Sequence, residues 1–172
     1  TPNGGSEDGF IAKVNPAGTG FVYCGFIGGS GADKALGVAV DASGRAHVVG
    51  TTDSSEATFP VAGGPDLTHN GSYDAFLATV SSGGDSLVEC GYIGGSGADQ
   101  GLGIAVDTAG NAYVCGSTES TETTFPVIVG PDLTHNGSYD AFVARIGGPP
   151  VTRGLLAADT DGDGRDELVA DL

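Results

Sequence analysis

"FIGGSGADKALGVAVDASGRAHVVGTT", residues 26–52, returns as "YIGGSGADQGLGIAVDTAGNAYVCGST" at residues 92–118. The offset is 66 residues, and the alignment needs no gap. The same offset carries Cys24 onto Cys90, Phe59 onto Phe125, Asp74 onto Asp140, and "GPDLTHNGSYDAF" onto itself. At the start of the chain "GSEDGFIAKV" aligns with "GSYDAFLATV". Two well-kept copies therefore follow the second half of an earlier one. Self-similarity at a fixed period marks solenoids, propellers and arrays, in which one unit cannot bury its apolar surface alone.

Each copy reads as four short strands. "LGVAV" is small and apolar, Asp41 to Gly44 turns, and "RAHVVG" follows. A long Thr/Ser/Pro/Gly segment runs from Thr51 to about Ser72. "DAFLATV" then alternates as a third strand, "SSGGD" turns, and "SLVECGYI" is the fourth. No segment has the apolar period of a helix. Strands this short, at regular spacing with glycine-rich turns, indicate an all-β sandwich, barrel or propeller. A repeating four-stranded unit selects β-propeller-type antiparallel blades.

"YIGGSGADQGLGIAVDTAGNAYVCGSTES…FP" followed by "YDAFVARI" closely resembles the bacterial and archaeal beta-propeller repeat called SBBP. The likeness runs from about residue 6 to residue 146. It implies a secreted or cell-surface propeller, usually part of a larger protein, with no catalytic activity. The expected organisation is a half-repeat at 1–25, repeats at 26–91 and 92–146, and a Pro/Gly linker with a turn segment at 147–172. That makes about two and a half blades, whereas closed rings have about four to eight. Three arrangements remain open: a piece of a longer propeller, a ring completed by several chains, or an open array. In the array each chain lends its first half-repeat to a neighbour.

Composition narrows the partners. The chain has 172 residues, with 22 acidic and 6 basic side chains and a formal net charge of −16. Nucleic acid and anionic membrane surfaces are disfavoured, and cations are favoured. Charged residues make up only 16% of the chain, so the acidity reflects scarce Lys and Arg and not a disordered acidic tail. No stretch is long and apolar enough to span a bilayer, and no signal peptide is visible. Cys24, Cys90 and Cys115 allow one internal disulfide at most, and no C-x-x-C pair exists. Small buried thiols in strands are the expectation, with a disulfide within or between chains as the alternative.

Most repeated polar residues read as architecture. Asp41 and Asp107 precede Ser43-Gly44 and Ala109-Gly110, where a carboxylate caps a turn. Asp33 and Asp99 in "GGSGAD" read similarly, with a cation contact as the alternative. Asp8, Asp74 and Asp140 precede the third strand in every copy. His69 and His135, beside Asp66 and Asp132, form at most a weak metal pair. His47 is replaced by Tyr113 in the next copy. Asn70 and Asn136 begin N-x-S sequons, but Asn-Gly is also a strong turn former. The Gly-rich "GFIGGSG" follows a strand without opening a helix and lacks the P-loop lysine. Spacing suggests no Ser–His–Asp or paired-carboxylate site, so no enzyme is expected.

The terminal "DTDGDGRDELV" is the exception. Asp159, Asp161 and Asp163 alternate, Gly164 sits where calcium loops turn sharply, Arg165 offers a carbonyl, and Glu167 adds a carboxylate. Hard oxygen donors in this alternation suit Ca²⁺. The flanks "GLLAAD" and "ELVADL" are strand-like, and position 12 is Ala170, so an EF-hand does not fit. The segment resembles the calcium loop of FG-GAP/VCBS repeats and, more distantly, a dockerin loop. The expected function is an extracellular, non-enzymatic scaffolding or adhesion module, calcium-stabilised and self-assembling as a homo-oligomer or polymer. A carbohydrate- or ligand-binding propeller of a larger surface protein, with surface glycans as partner, is the alternative.

Overall fold

A computed structural model describes residues 4–147. Nine strands occur among them: β1 (Gly9–Val14), β2 (Phe21–Ile27), β3 (Asp33–Val40), β4 (Ala46–Thr52), β5 (Asp74–Val80), β6 (Leu87–Ile93), β7 (Asp99–Val106), β8 (Ala112–Thr118) and β9 (Asp140–Ile146). They form three antiparallel sheets, β1-β2, β3-β4-β5-β6 and β7-β8-β9. No helix lies among the described residues. The fold is all-β, built of propeller-type blades in which each strand pairs with its neighbour in sequence.

The repeat sets the local structure. The first two strands of each complete unit bulge at the same place, between Ala35 and Gly37 and between Gly101 and Gly103. The turns between them close on Gly44 and Gly110, whose φ values of 80° and 84° favour a residue without Cβ. Two and a half blades would contain ten strands; nine are described. The position expected for a tenth, after β9, lies outside the described residues. The expected "LGVAV" strand is longer than read and starts at Asp33. The expected third strand, Asp74–Val80, is as read.

The core lies between sheets. On the central sheet Ala46, Val48, Phe76, Ala78 and Tyr92 point to one side, with Ile27 and Ile11 of the first sheet packed among them. Val49, Ala75, Leu77 and Ile93 point to the other side, against Ala112, Val114 and Phe142 of the third sheet. This is the period-two alternation of a strand with both faces covered. The two junctions are made of residues 66 apart: Val48 and Val114, Phe76 and Phe142, Ile27 and Ile93. Phe59 of the long loop closes the first junction, edge-on to Phe76 at 5.2 Å, as Phe125 meets Phe142 at 5.1 Å in the second. That loop also runs along the outer edge of β6, where Ala62 and Cys90 exchange backbone hydrogen bonds of 2.8 and 3.0 Å.

Because the energy resides between sheets, one repeat position has different costs in different copies. Leu77→Ala removes a fully buried side chain and should destabilise by about 2–5 kcal/mol. Val143→Ala, at the equivalent position of β9, is 78% exposed and should change stability by no more than about 0.5 kcal/mol. Urea denaturation of both variants checks this; equal losses would contradict the stacked-sheet core.

Candidate functional site

The turn aspartates hold the backbone. Asp41 Oδ1 accepts from Ser43 N (2.9 Å), Ser43 Oγ (2.9 Å) and Arg45 N (3.0 Å). Its Oδ2 accepts from Arg45 Nε at 2.6 Å and His47 Nε2 at 3.2 Å. Burial raises the Asp41 carboxyl, but hydrogen bonds from Arg45, His47 and Ser43 outweigh it and hold the group well below the usual range. Asp107 repeats the pattern with Ala109 N (2.9 Å), Asn111 N (2.8 Å) and Asn111 Nδ2 (2.6 Å). The turn-capping expectation holds in both copies.

His47 has a role that spacing did not reveal. Its Nδ1 lies 3.0 Å from Thr79 Oγ1, which links turn, β4 and β5 in one chain, Asp41–His47–Thr79. The order of groups is that of an acid–base–hydroxyl relay. All three side chains are buried, with Thr79 only 1% exposed, and the chain joins one strand to the next inside the fold. In the next copy Tyr113 takes the place of His47 and donates to Asp107 Oδ2 at 3.2 Å. The sequence carried no signal for it, because the pairing of His47 with Thr79 is set by the β4–β5 register.

A second set of carboxylates sits where adjacent sheets meet. Asp33 Oδ2 accepts from Gly29 N (2.7 Å) and Ser54 Oγ (2.9 Å), and its Oδ1 accepts from Thr52 Oγ1. Asp99 Oδ2 does the same with Gly95 N (2.8 Å) and Ser120 Oγ (2.9 Å). Asp8, Asp74 and Asp140 each accept from the backbone N–H four residues earlier, at 3.1, 2.9 and 2.8 Å. The two sets approach each other around a glycine. A Cβ on Gly94 would stand 2.6 Å from Asp74 Oδ1 and 2.9 Å from Asp99 Oδ2. Gly28 is crowded in the same way by Asp8 and Asp33. Asp74 Oδ1 is buried without a hydrogen-bond partner. Burial foremost, aided by the Asp99 charge and opposed by Asn70 N–H and His69, raises the Asp74 carboxyl from 3.8 to about 6.

The long loops are organised by Asp66 and Asp132. Asp66 Oδ1 accepts from Thr68 N (3.0 Å) and Thr68 Oγ1 (2.7 Å), and Oδ2 accepts from Asn70 Nδ2 (2.8 Å). Asp132 holds Thr134 and Asn136 alike. His69 and His135 donate their backbone N–H to Glu56 and Glu122 at 3.3 and 3.2 Å. Among the described residues no three His, Cys, Asp or Glu side chains are grouped to hold a metal ion. The sequon nitrogens Asn70 Nδ2 and Asn136 Nδ2 each also donate to a Thr carbonyl, at 3.0 and 2.9 Å. These are the atoms a glycan would occupy, and the turn uses them.

The cysteines depart from expectation. Cys90 alone is buried, and desolvation pushes its thiol up to about 12. Cys24 and Cys115 are exposed, and all three are free. The sheets on which they stand each lack a covering neighbour. The calcium-loop residues Asp159, Asp161, Asp163, Arg165 and Glu167 lie outside the described residues. A groove of about 1010 Å³ runs between β1 and the face of β3 and β4, lined by Ile11, Ala12, Val38, Val40 and Tyr23 among others. In the next junction the corresponding space is taken up by β3 and β4 themselves.

Asp74 yields a pH test. Its folded value lies above the ordinary one, so the fold favours the protonated form. Its stabilising contribution is full below about pH 3.8 and is lost as pH rises through about 6. Asp74→Asn keeps an acceptor for Asn70 N–H and removes the titration. The variant should be more stable than wild type at pH 7, by on the order of 1 kcal/mol, and no more stable at pH 4. Melting curves at the two pH values decide it; a constant difference would exclude Asp74 as the source.

No curated protein matches the chain. The family model described as "SBBP: Beta-propeller repeat" matches residues 92–122, which hold β7, β8 and the loop after them. The residues it covers include Asp99, Asp107, Thr118 and Ser120, the side chains that tie the turn and the "GGSG" loop to the sheet. Residues 92–122 are similar to the SBBP beta-propeller repeat, whose model covers this one stretch of the chain.

Proposed function

We propose that this propeller module is a non-enzymatic scaffolding or adhesion element working outside the cell or on its surface. It assembles with other copies of itself and is stabilised by calcium. The observation that carries the reading is the use of the repeated polar side chains. Asp33, Asp41 and Asp66 and their equivalents Asp99, Asp107 and Asp132 bind backbone amides and hydroxyls of their own blade. Polar groups engaged alike in each copy serve the architecture of the unit. Among the described residues no strand pairs with the outer edge of β1, which offers backbone donors and acceptors to a strand of another chain.

Calcium belongs to this reading through the donor set of the terminal segment. Asp159, Asp161, Asp163 and Glu167 supply carboxylates, and Arg165 a carbonyl. Such a set has little affinity for itself without a cation, and binding would be coupled to ordering of the turn. A carbohydrate- or ligand-binding propeller is the second reading, favoured by the groove beside β1.

Light scattering at several protein concentrations, with calcium and with chelator, tests the proposal. The mass should grow with concentration in calcium and grow less in chelator, and Asp161→Ala should behave in calcium as wild type does in chelator. A mass fixed at 16.9 kDa under all conditions would remove self-assembly. Equal growth with and without calcium would remove the cation from it.

A further inference from the structure

The two end sheets leave uncovered the surfaces that the internal junctions cover. Phe10, Val14 and Phe26 of the first sheet are 66 residues before Phe76, Val80 and Tyr92. The latter are 0, 6 and 0% exposed; the former are 67, 53 and 62% exposed. At the other end, Cys115, Ala141 and Val143 of the third sheet stand where Val49, Ala75 and Leu77 stand in the central one. Those three form one wall of the second junction, and their equivalents are exposed. The first sheet thus presents one side of the internal junction, and the third sheet presents the other.

We infer that the third sheet of one copy stacks face to face on the first sheet of a second copy, reproducing the internal junction between chains. The inference rests on the self-assembling reading above and names its partner: the occupant of the Phe10–Phe26 face is the Ala141–Val143 face of another copy. Continuity with the internal junctions carries it. They occur twice in the chain with equivalent residues, so the surface chemistry of the missing neighbour is known from Val49, Ala75 and Leu77.

A polar contact at the rim agrees. Across the first junction Lys13 Nζ donates to the Ser82 carbonyl at 3.2 Å. The residue 66 positions before Ser82 is Pro16, in a turn of the same shape: Gly18 N donates to Asn15 O as Gly84 N donates to Ser81 O, each at 3.0 Å. Two repeats after Lys13 stands Arg145, again a cation. In the stack, Arg145 of one copy reaches the Pro16 carbonyl of the next. Strand roles favour faces over a direct β1–β9 join: both are third strands of their units, and in the central sheet a third strand lies between a second and a fourth.

Variants that block one face each test this. Phe10→Glu spoils the first-sheet face and Val143→Asp the third-sheet face; both side chains are exposed, and circular dichroism controls for folding. Each variant alone should stop at 16.9 kDa in light scattering, because every junction needs both faces. An equimolar mixture should reach about twice that mass and stop, since each variant keeps the face the other has lost. Arg145→Cys and Pro16→Cys copies, each also carrying Cys24→Ser and Cys115→Ser, mixed with a short bis-maleimide cross-linker, should join more than either does alone. Growth that survives both face variants would overturn the stack while leaving assembly through the β1 edge in place. A mixture no larger than its components would overturn the stack as well. A wild type that never exceeds monomer mass would overturn both the stack and self-assembly.

Discussion

A sheet that is apolar on both faces cannot be stable by itself, and this constraint shapes the whole molecule. β5 shows it most directly, since all seven of its residues are buried. Phe76 and Ala78 face one junction, and Ala75 and Leu77 face the other. Its hydrogen bonds lie within a sheet, but its hydrophobic stabilisation lies between sheets. Stability in such an array is a sum of unit terms and nearest-neighbour terms, and the neighbour terms dominate. The same sequence pattern, "DGFIAKV" in β1 and "DAFVARI" in β9, is largely exposed because each has a neighbour on one side only.

The buried carboxylates follow from that stacking. Bringing sheets together encloses the loops that enter them, and those loops carry N–H groups with no strand partner. Asp33 and Asp99 supply acceptors for the Gly29 and Gly95 amides and for the serines that follow β4 and β8. Few Lys or Arg are needed, because the charges are solvated by donors of the chain itself. Asp74 is incomplete, as are Asp8 and Asp99, each with one buried oxygen that has no hydrogen-bond partner. Asp74 satisfies Asn70 N–H with one oxygen, while the other lies against Asp99 around Gly94.

Much of this was legible. The gap-free offset of 66 residues gave the blade, and the alternation in "DAFLATV" located β5 to the residue. The "DASG" and "DTAG" turns followed from local chemistry, as did the capping by Asp41 and Asp107. The Asp41–His47–Thr79 chain was not legible, because it depends on β4–β5 register across a long loop and on a histidine absent from the other copy. The exposure of Cys24 and Cys115 was not legible either. Their equivalents Cys90 and Val49 are buried, and burial here is decided by which sheet stands next, a property of position in the array. The segment expected to bind calcium lies outside the described residues.

The His47–Thr79 bond has a consequence for how the chain finds its own partners. β8 pairs with β9 across 21 intervening residues; pairing it instead with β5 would close a segment of 31. Loop entropy separates these by only about 0.3 kcal/mol. The strands look alike, so hydrophobic pattern does not separate them either. The rungs differ mostly by like residues, and the change of chemistry is at one of them: Thr79 opposite His47, and Arg145 opposite Tyr113. An exchange would replace the buried Thr79 hydroxyl, 3.0 Å from His47 Nδ1, with the long Arg145 side chain, a cation that is exposed in its own blade. One hydroxyl and one imidazole thus serve as an address, telling two nearly identical hairpins apart while the chain is still choosing.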